Sequence, residues 1–246
     1  MDALMRRDVH PALVGVRAVL FDKDGTLLDF EATWGPATAE VLDELAGGDI
    51  AMIAALATSC GFVPGENRFL PDSPIIGGDA DEFAPAWAER LGDPYDRALL
   101  TRLDEAFRAA SLRHLTAYDD VPVALARLTE AGLPVGIATN DFEQTARAHL
   151  EKLAIDGFFG FVAGYDSGFG GKPGPGMVQA FAGATGLPAS AVALLGDSPH
   201  DMHAARAAGA VPVGIARTSA ASQALNDLPV LTVTDLGELL AALGLG

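Results

Sequence analysis

Two carboxylates in a short polar turn give the clearest chemical signal in the sequence. Asp22 and Asp24 flank Lys23 and are followed by Gly25, directly after an apolar run. Carboxylate oxygens that share one crevice suit a hard cation such as Mg²⁺, and two acids can also divide the roles of nucleophile and general acid/base. For this motif alone, an Asp-Gly turn with solvated acids remains the alternative. An EF-hand calcium loop is excluded, because its twelfth position would be Thr33 instead of glutamate.

A second acidic pair follows another apolar run. Asp197 stands at the end of this run, and Asp201 falls in the first turn of a predicted helix, where an acid also complements the helix dipole. If both pairs reach one crevice, four carboxylates would repel one another there. A bound cation would relieve that repulsion, so the two pairs together indicate a metal site.

Thr139, Asn140 and Lys172 are the remaining candidates. The Thr139 hydroxyl and the Asn140 backbone N–H can form a cradle for an oxyanion or a phosphate, although a simple helix cap fits them at least as well. Lys172 lies in a turn over residues 170–176 that is rich in glycine and proline. A lysine held there can neutralise a carboxylate or a phosphoryl oxygen, and an ordinary surface turn is the alternative. A Walker loop is excluded, because Pro173 stands where serine or threonine is required.

Buried strands that alternate with helices must position these residues. Short apolar runs predict the strands. They cover residues 16–21, 133–139, 159–163, 191–196, 211–215 and 230–233. The alternation predicts an α/β fold, a Rossmann-like parallel sheet flanked by helices, with the working residues at the carboxyl ends of the strands.

Three core helices follow from periodicity and capping residues. Residues 121–131 carry apolar side chains at helical spacing. Asp141 is predicted to be the N-cap of a helix that ends near residue 153. Ser198 is predicted to cap another helix, with Gly209 just past its end.

The stretch over residues 31–117 interrupts the alternation and is predicted to be an inserted helical cap domain. Its predicted helices cover residues 38–45, 50–59, 81–91 and 95–115, and a loop rich in glycine and proline covers residues 61–78. No buried strand is expected in it. The core domain would then be discontinuous, formed by residues 1–30 and 118–246. The hinges are expected at residues 29–33 and 116–120.

Composition limits the classes of function. Of the 246 residues, half are hydrophobic and a fifth are charged, which is typical of a globular protein with a sizeable core. The 33 acidic against 16 basic side chains give a formal net charge of −17, which argues against nucleic-acid or membrane-surface binding. Cys60 is the single cysteine, so an internal disulfide and a cysteine zinc site are excluded. The N-terminal residues lack the apolar run of a signal peptide, and no apolar run reaches the roughly 18 residues of a membrane span, so we expect a soluble cytoplasmic protein.

Taken in order, the motifs resemble those of the haloacid dehalogenase superfamily, in its phosphoglycolate-phosphatase-like branch. The matching segments are FDKDGTL at residues 21–27, Thr139-Asn140, Lys172-Pro173, GDSPHD at 196–201 and AARAAG at 204–209. The inserted domain matches a family cap in position and type. The resemblance covers the core nearly end to end, whereas the sequence of the inserted domain resembles nothing specific.

The resemblance implies roles for the core residues. Asp22 would attack phosphorus and form an aspartyl-phosphate, and Asp24 would protonate the leaving oxygen and then activate water. Thr139 and Lys172 would hold the phosphoryl group, with help from the backbone N–H of Asn140. These roles agree with the chemistry of phosphoryl transfer, which depends mostly on positioning and charge neutralisation.

The same resemblance implies a Mg²⁺ site. Its ligands would be Asp22, Asp197 and the backbone carbonyl of Asp24, and Asp201 would steady either the metal or Lys172.

A protein of this net charge should repel a phosphate dianion, so a local positive focus is needed. Mg²⁺, Lys172 and Lys23 are expected to supply it, with Lys23 contacting phosphate. Arg68, in the loop of the inserted domain, is the candidate for substrate contact from that side. Trp34 can pack over the site, but a place in the core or hinge is favoured.

The predicted function is that of a Mg²⁺-dependent phosphatase acting on a small phosphorylated metabolite, with phosphoglycolate a first candidate by resemblance. A β-phosphoglucomutase-like phosphotransferase keeps both acids and stays open, and so does a non-catalytic protein that senses a phosphate ligand. Dehalogenases are disfavoured, since they need no second acid and Asp24 is present. The oligomeric state is not predicted.

Overall fold

A six-stranded parallel sheet lies at the centre of the fold in the computed structural model, which describes residues 8–76 and 80–246. The strands of this part of the chain are β1 (Ala18–Phe21), β2 (Phe62–Val63), β3 (Arg68–Phe69), β4 (Val135–Ala138), β5 (Phe159–Ala163), β6 (Val192–Gly196), β7 (Val211–Ile215) and β8 (Leu231–Val233). The sheet order is β5-β4-β1-β6-β7-β8, so β1 pairs with β4 on one side and with β6 on the other. The α/β prediction is therefore confirmed.

Helices cover both faces of the sheet, and the residues of β1 alternate between two hydrophobic clusters. Val19 and Phe21 belong to the cluster on one face, whereas Ala18 and Leu20 belong to the cluster on the other. All four residues are buried, because β1 is covered on both sides. The helices are α1 (Phe30–Ala46), α2 (Ile50–Ser59), α3 (Ala84–Leu91), α4 (Arg97–His114), α5 (Val121–Glu130), α6 (Glu143–Lys152), α7 (Gly176–Thr185), α8 (Pro199–Ala208), α9 (Ser219–Leu225) and α10 (Leu236–Ala242).

Of the two predicted helix caps, the one at Ser198 is confirmed and the one at Asp141 is wrong. Ser198 caps α8 through a capping box with Asp201, and Gly209 ends the helix in the left-handed conformation. Asp141 does not cap α6, which begins after Phe142 without a side-chain cap. The prediction was wrong because the Asp141 carboxylate accepts a hydrogen bond from the neighbouring Phe142 N–H and pairs with buried Lys23.

The inserted region has a hydrophobic core of its own, formed around Leu42, Leu56 and Trp87. Helix α1 begins at Phe30 instead of residue 38, because the Asp29 carboxylate caps the N–H of Ala32. A two-stranded antiparallel hairpin, β2–β3, lies where only a loop was expected. We keep the name inserted domain for residues 31–117; its boundaries remain a prediction.

Some sequence-based expectations concern residues outside the described part of the chain. The expected absence of a signal peptide concerns residues 1–7, and the end of the loop predicted over 61–78 includes residues 77 and 78. Within the described residues, none of the helices combines the length and apolarity that a membrane crossing requires.

Candidate active site

The turn after β1 brings the first acidic pair against the end of β6. The Asp22 N–H donates to the Leu195 carbonyl at 2.8 Å, which continues the strand pairing by one residue. Gly25 then adopts a positive φ of 76°. A Cβ atom on Gly25 would lie 2.0 Å from Asp197 Oδ2, so only glycine permits this approach of the two motifs.

Three carboxylates meet at this point. Oxygen atoms of Asp22, Asp197 and Asp201 all lie within 4.8 Å of one another. Asp201 can approach Asp197 because Gly196 has no side chain. A Cβ atom on Gly196 would lie 2.2 Å from Asp201 Cγ. Segments that are far apart in the sequence thus place their acids in one cluster, as the resemblance implied for a metal site.

Lys172 neutralises part of this cluster. Its Nζ donates to Asp22 Oδ1 and, at 2.6 Å, to Asp201 Oδ1. The Asn140 amide holds the lysine backbone at both ends, because it donates to the Lys172 carbonyl at 3.0 Å and accepts from the Lys172 N–H at 2.8 Å. Lys172 is buried, so its position is fixed by these partners.

The pKa values of the cluster reflect its burial and its excess negative charge. Burial, together with the charges of Asp201 and Asp24, raises the pKa of Asp22 to about 7 in spite of Lys172. Burial and the charges of Asp22 and Asp201 raise the pKa of Asp197 well above its ordinary value. Burial alone would lower the pKa of Lys172, but Asp201 and Asp22 outweigh it and raise that pKa.

This donor set fits a hard divalent cation. The cluster has three carboxylates against a single ammonium group, and carboxylate oxygens are the ligands that Mg²⁺ prefers. Asp201 is less free than the other two. Its Oδ2 accepts from the Ser198 N–H at 3.1 Å and from the Ser198 hydroxyl at 2.6 Å, while its Oδ1 accepts from Lys172. Asp22 and Asp197 are therefore the side chains best placed as ligands.

Thr139 lies at the end of β4 and lines the same cavity as Asp22 and Lys172. It is buried, and its hydroxyl accepts a hydrogen bond from the Asp141 N–H at 3.1 Å. The hydroxyl hydrogen of Thr139 is thus available to a group bound in the cavity. The structure therefore brings Thr139, Asn140 and Lys172 together beside the acidic cluster.

Lys23 does not lie where the phosphate-binding prediction needs it. It is fully buried and is not among the described residues that line the cavity. Its Nζ lies 2.6 Å from Asp24 Oδ2, 3.0 Å from Asp141 Oδ2 and 3.2 Å from His149 Nδ1. The two acids outweigh burial and raise the pKa of Lys23. These contacts hold Lys23 as the partner of Asp24 instead of a substrate ligand.

The inserted domain reaches the same network through Trp34 and Ser111. The Trp34 Nε1–H donates to Asp24 Oδ1 at 2.6 Å, so the two oxygens of Asp24 are held by different partners. Lys23 Nζ lies 5.2 Å from the centroid of the Trp34 ring. The Ser111 hydroxyl on α4 lies 2.7 Å from His149 Nε2. Trp34 thus belongs to the core of the inserted domain and also contacts the site.

A cavity of about 880 Å³ opens above the acidic cluster, between the ends of the strands and the inserted domain. Arg68 is not among the described residues that line it. The Arg68 side chain is exposed and its Nε donates to Glu66 Oε2 at 2.8 Å, so its position does not support substrate contact. Arg68 was a candidate because it lies in the loop predicted for the inserted domain, whereas the structure places it in the β2–β3 hairpin with its side chain exposed.

Sequence reasoning missed Tyr118 and Arg217, which both line the cavity. The Arg217 guanidinium forms a bidentate pair with Asp120, at 2.8 Å and 2.9 Å, and lies 4.2 Å above the Tyr118 ring. The signal was available for Arg217, since it follows β7 as the other site residues follow β1, β4 and β6.

Comparisons with known proteins find relatives over most of the chain. A family model described as haloacid dehalogenase-like hydrolase matches residues 16–209. A phosphoglycolate phosphatase of Photorhabdus laumondii is 30% identical over 239 residues, which cover 95% of this chain and 94% of that protein. The enzyme of the same name from Yersinia pestis is 29% identical over 235 residues, covering 94% of each chain.

Solved structures share the fold. A haloacid dehalogenase phosphatase from Thermococcus onnurineus superposes with a TM-score of 0.67 at 24% identity, covering 93% of this chain and 98% of that chain. A predicted phosphoglycolate phosphatase from Haemophilus somnus gives a TM-score of 0.67 at 20% identity, covering 92% and 97%. At this identity the likeness concerns the fold alone.

We predict that Lys23→Met destabilises the protein strongly. The substitution leaves the partly buried carboxylates of Asp24 and Asp141 without their ammonium partner, so we expect the free energy of unfolding to fall by about 3 kcal/mol. The exposed lysine variant Lys152→Met, which loses a hydrogen bond to the Leu112 carbonyl but no buried ion pair, is the control, with an expected cost of about 1 kcal/mol or less. Denaturant titration checks both, and equal costs would contradict this account. Adding Asp141→Asn to Lys23→Met should recover part of the loss.

His149 should make the stability depend on pH. Burial, together with the charge of Lys23, lowers the pKa of His149 to about 2 from 6.5. Below pH 6.5 the unfolded chain therefore binds a proton at this residue that the folded protein does not. The stabilising contribution of neutral His149 is complete above that pH and falls below it, by up to about 1.4 kcal/mol per pH unit.

The variant His149→Gln isolates this effect. We expect the difference in unfolding free energy between the natural protein and His149→Gln to shrink as the pH is lowered from 7 to 5, because only the natural protein loses the histidine contribution. Denaturant titrations at several pH values measure it. A difference that stays constant over this range would show that His149 is not held neutral.

Proposed function

This chain belongs to the haloacid dehalogenase-like hydrolase family and is a phosphoric monoester hydrolase, and we propose that it releases phosphate from a small phosphorylated metabolite through an aspartyl-phosphate on Asp22, with a divalent cation bound. The observation that carries this proposal is the contact of Asp22 with Lys172 inside the cluster formed with Asp197 and Asp201. The nucleophilic carboxylate of Asp22, the fixed ammonium group of Lys172 and the carboxylate of Asp197, a candidate metal ligand, then lie at one end of a cavity.

Asp22 is the nucleophile of the first step. One Asp22 oxygen attacks phosphorus and forms an O–P bond, while the bond from phosphorus to the leaving oxygen breaks. Lys172 holds the other oxygen of the carboxylate and thereby fixes the direction of attack. Such positioning supplies most of the catalysis in phosphoryl transfer.

Asp24 handles the protons of both steps. It gives its proton to the leaving oxygen in the first step and, as a carboxylate, takes a proton from water in the second. The water oxygen then attacks phosphorus, the bond to Asp22 breaks, and inorganic phosphate leaves. Before substrate enters, Trp34 and Lys23 each donate to one oxygen of the Asp24 carboxylate and thereby set its orientation. One of these contacts must open when that oxygen takes up, from solvent, the proton that Asp24 gives to the leaving oxygen.

The phosphoryl oxygens would be held by the Thr139 hydroxyl, the Asn140 backbone N–H and Lys172. The cation would be held by Asp22, Asp197 and the backbone carbonyl of Asp24, with Asp201 steadying Lys172 through their 2.6 Å contact. When bound, Mg²⁺ would supply positive charge against the phosphoryl oxygens and reduce repulsion within the acidic cluster. This arrangement also answers how a chain with a net charge of −17 can admit a phosphate dianion.

We predict that removal of the metal and removal of the nucleophile both stop turnover. With EDTA, hydrolysis of a panel of phosphate esters should cease and should return on addition of Mg²⁺. Asp22→Asn should lower kcat by at least about 10³-fold without changing the fold seen by circular dichroism. Exposed Asp227→Asn is the control, with unchanged turnover. Persistent turnover in EDTA would remove the metal from the mechanism.

A binding measurement separates the metal site from catalysis. Mg²⁺ should raise the melting temperature of the natural protein, because the ion binds the folded state and relieves its buried negative charge. The same addition should have a smaller effect on Asp197→Asn, which lacks a ligand. Equal effects on the two proteins would place the ion elsewhere.

We predict hydrolysis and not isomerisation of a sugar phosphate. With a hexose 1-phosphate as substrate, phosphorus NMR should show inorganic phosphate as the product that accounts for all substrate consumed. Accumulation of the 6-phosphate would support the phosphotransferase alternative. Absence of turnover with every ester, combined with binding of phosphate, would support the sensor alternative.

A further inference from the structure

The cavity lining outside the acidic cluster, here called the wall, is largely apolar. The described residues of this wall include Phe30, Ile75, Phe83, Phe107, Phe142 and Tyr165. Phe83 and Phe107 belong to the hydrophobic core of the inserted domain, and their ring centroids lie 6.0 Å apart. The Phe142 and Tyr165 rings meet edge to face at 4.9 Å. These aromatic groups are held by packing, so they form a preformed apolar surface.

The lysine and arginine side chains on the described lining are Lys172 and Arg217, and both already have acidic partners. Lys172 is bound to Asp22 and Asp201. The Arg217 guanidinium is bound to Asp120 through Nη1 and Nη2, and its Nε and Nη2 also donate to the Thr26 carbonyl at 3.3 Å and 3.1 Å. A carboxylate on a substrate would therefore need a cation that these two residues do not offer.

The other charged groups on the wall are acids. Asp29, Glu31 and Asp104 line the cavity outside the cluster that would bind phosphate. Asp104 accepts a hydrogen bond from the Thr145 hydroxyl at 2.8 Å, and Arg108 is near enough to offset part of its charge. A second anionic group on the substrate would thus lie in a negative field and lose its hydration without gaining an ion pair.

The size of the cavity also favours a leaving group larger than glycolate. Its volume of about 880 Å³ lies in the range of sites that bury a ligand of drug size. A two-carbon leaving group such as glycolate would fill little of it and would touch few of the aromatic rings.

We propose that the leaving group of the natural substrate is an uncharged, mostly apolar or aromatic body, and that esters of small hydroxy acids such as phosphoglycolate are poor substrates. This inference rests on the proposed phosphatase function and names its substrate class. The phosphate end is recognised by the acidic cluster with its cation and by Lys172, and the alcohol end is recognised by the apolar wall.

Four non-hydrolysable phosphonates test the two halves of this inference without interference from leaving-group reactivity. The first pair, 3-phosphonopropionate and its primary amide, have the same size and differ in charge. The second pair, 2-phenylethylphosphonate and ethylphosphonate, differ only in the phenyl ring. Inhibition constants are measured with the full chain and Mg²⁺, against hydrolysis of p-nitrophenyl phosphate. Benzyl phosphate and phosphoglycolate are compared as substrates by kcat/KM.

The expected results are specific for each pair. The phenyl compound should bind at least about tenfold more tightly than ethylphosphonate, because the ring leaves water for an apolar wall. The amide should bind more tightly than the carboxylate, and benzyl phosphate should exceed phosphoglycolate in kcat/KM. Tighter binding of the carboxylate, or equal binding within either pair, would overturn the inference. Absence of hydrolysis of every ester would instead refute the proposed function.

Variants locate the effect on the wall. Phe30→Ala and Phe142→Ala should each weaken the phenyl compound by about threefold relative to ethylphosphonate, which serves as the internal reference for site integrity. Phe169→Ala is the matched control, since Phe169 is exposed and is not among the described residues that line the cavity. Equal effects of all three variants would contradict a role for the wall. His200 also lines the cavity. If the natural protein binds the carboxylate more tightly than the amide and His200→Ala does not, the inference is overturned and His200 is the residue that binds the carboxylate.

Discussion

The buried imbalance of charge at the end of β1 is the constraint on which the site depends. Asp22, Asp197 and Asp201 place three carboxylates around the ammonium group of Lys172, in a region from which water is largely excluded. Such a cluster is tolerable only when each charge has a partner, so the surrounding chain is arranged to supply partners. The glycines that permit the close approach, the amide clamp of Asn140 on Lys172, and the capping contact of Ser198 with Asp201 all serve this one requirement.

A second buried charge group joins the inserted domain to the core. Lys23 lies between Asp24 and Asp141 and is backed by neutral His149, which in turn contacts Ser111 on α4. Trp34 on α1 completes the group through its hydrogen bond to Asp24. A displacement of the inserted domain would break these contacts and change the partners of Asp24. The orientation of the proposed acid/base and the position of the inserted domain are therefore energetically linked.

In the two charge groups the basic side chains are already paired with acids, so they offer little positive charge to a second anionic group on a substrate. Lys23 is enclosed, Lys172 is bound within the cluster, and Arg217 is bound to Asp120 beside Tyr118. The family relation accounts for a phosphatase reaction, and we propose that the residues at the strand ends carry it. If the apolar wall recognises the alcohol, as we propose, the choice of alcohol depends in part on the inserted domain, which supplies Phe83 and Phe107. An enzyme can thus keep the reaction of its relatives and accept a different leaving group.

The sequence by itself determined the sheet and the residues at its carboxyl ends. Asp22, Thr139 and Asp197 each follow a short apolar run, and parallel strands bring such positions to one edge, so local pattern was enough. Pattern could not determine the direction of Lys23 or the cap of α6. The Lys23 side chain points into the interior because it contacts Asp141 and His149 there, and those residues are more than a hundred positions away in the chain. Only the tertiary structure decides such contacts, because a buried charge takes the partner that folding brings to it.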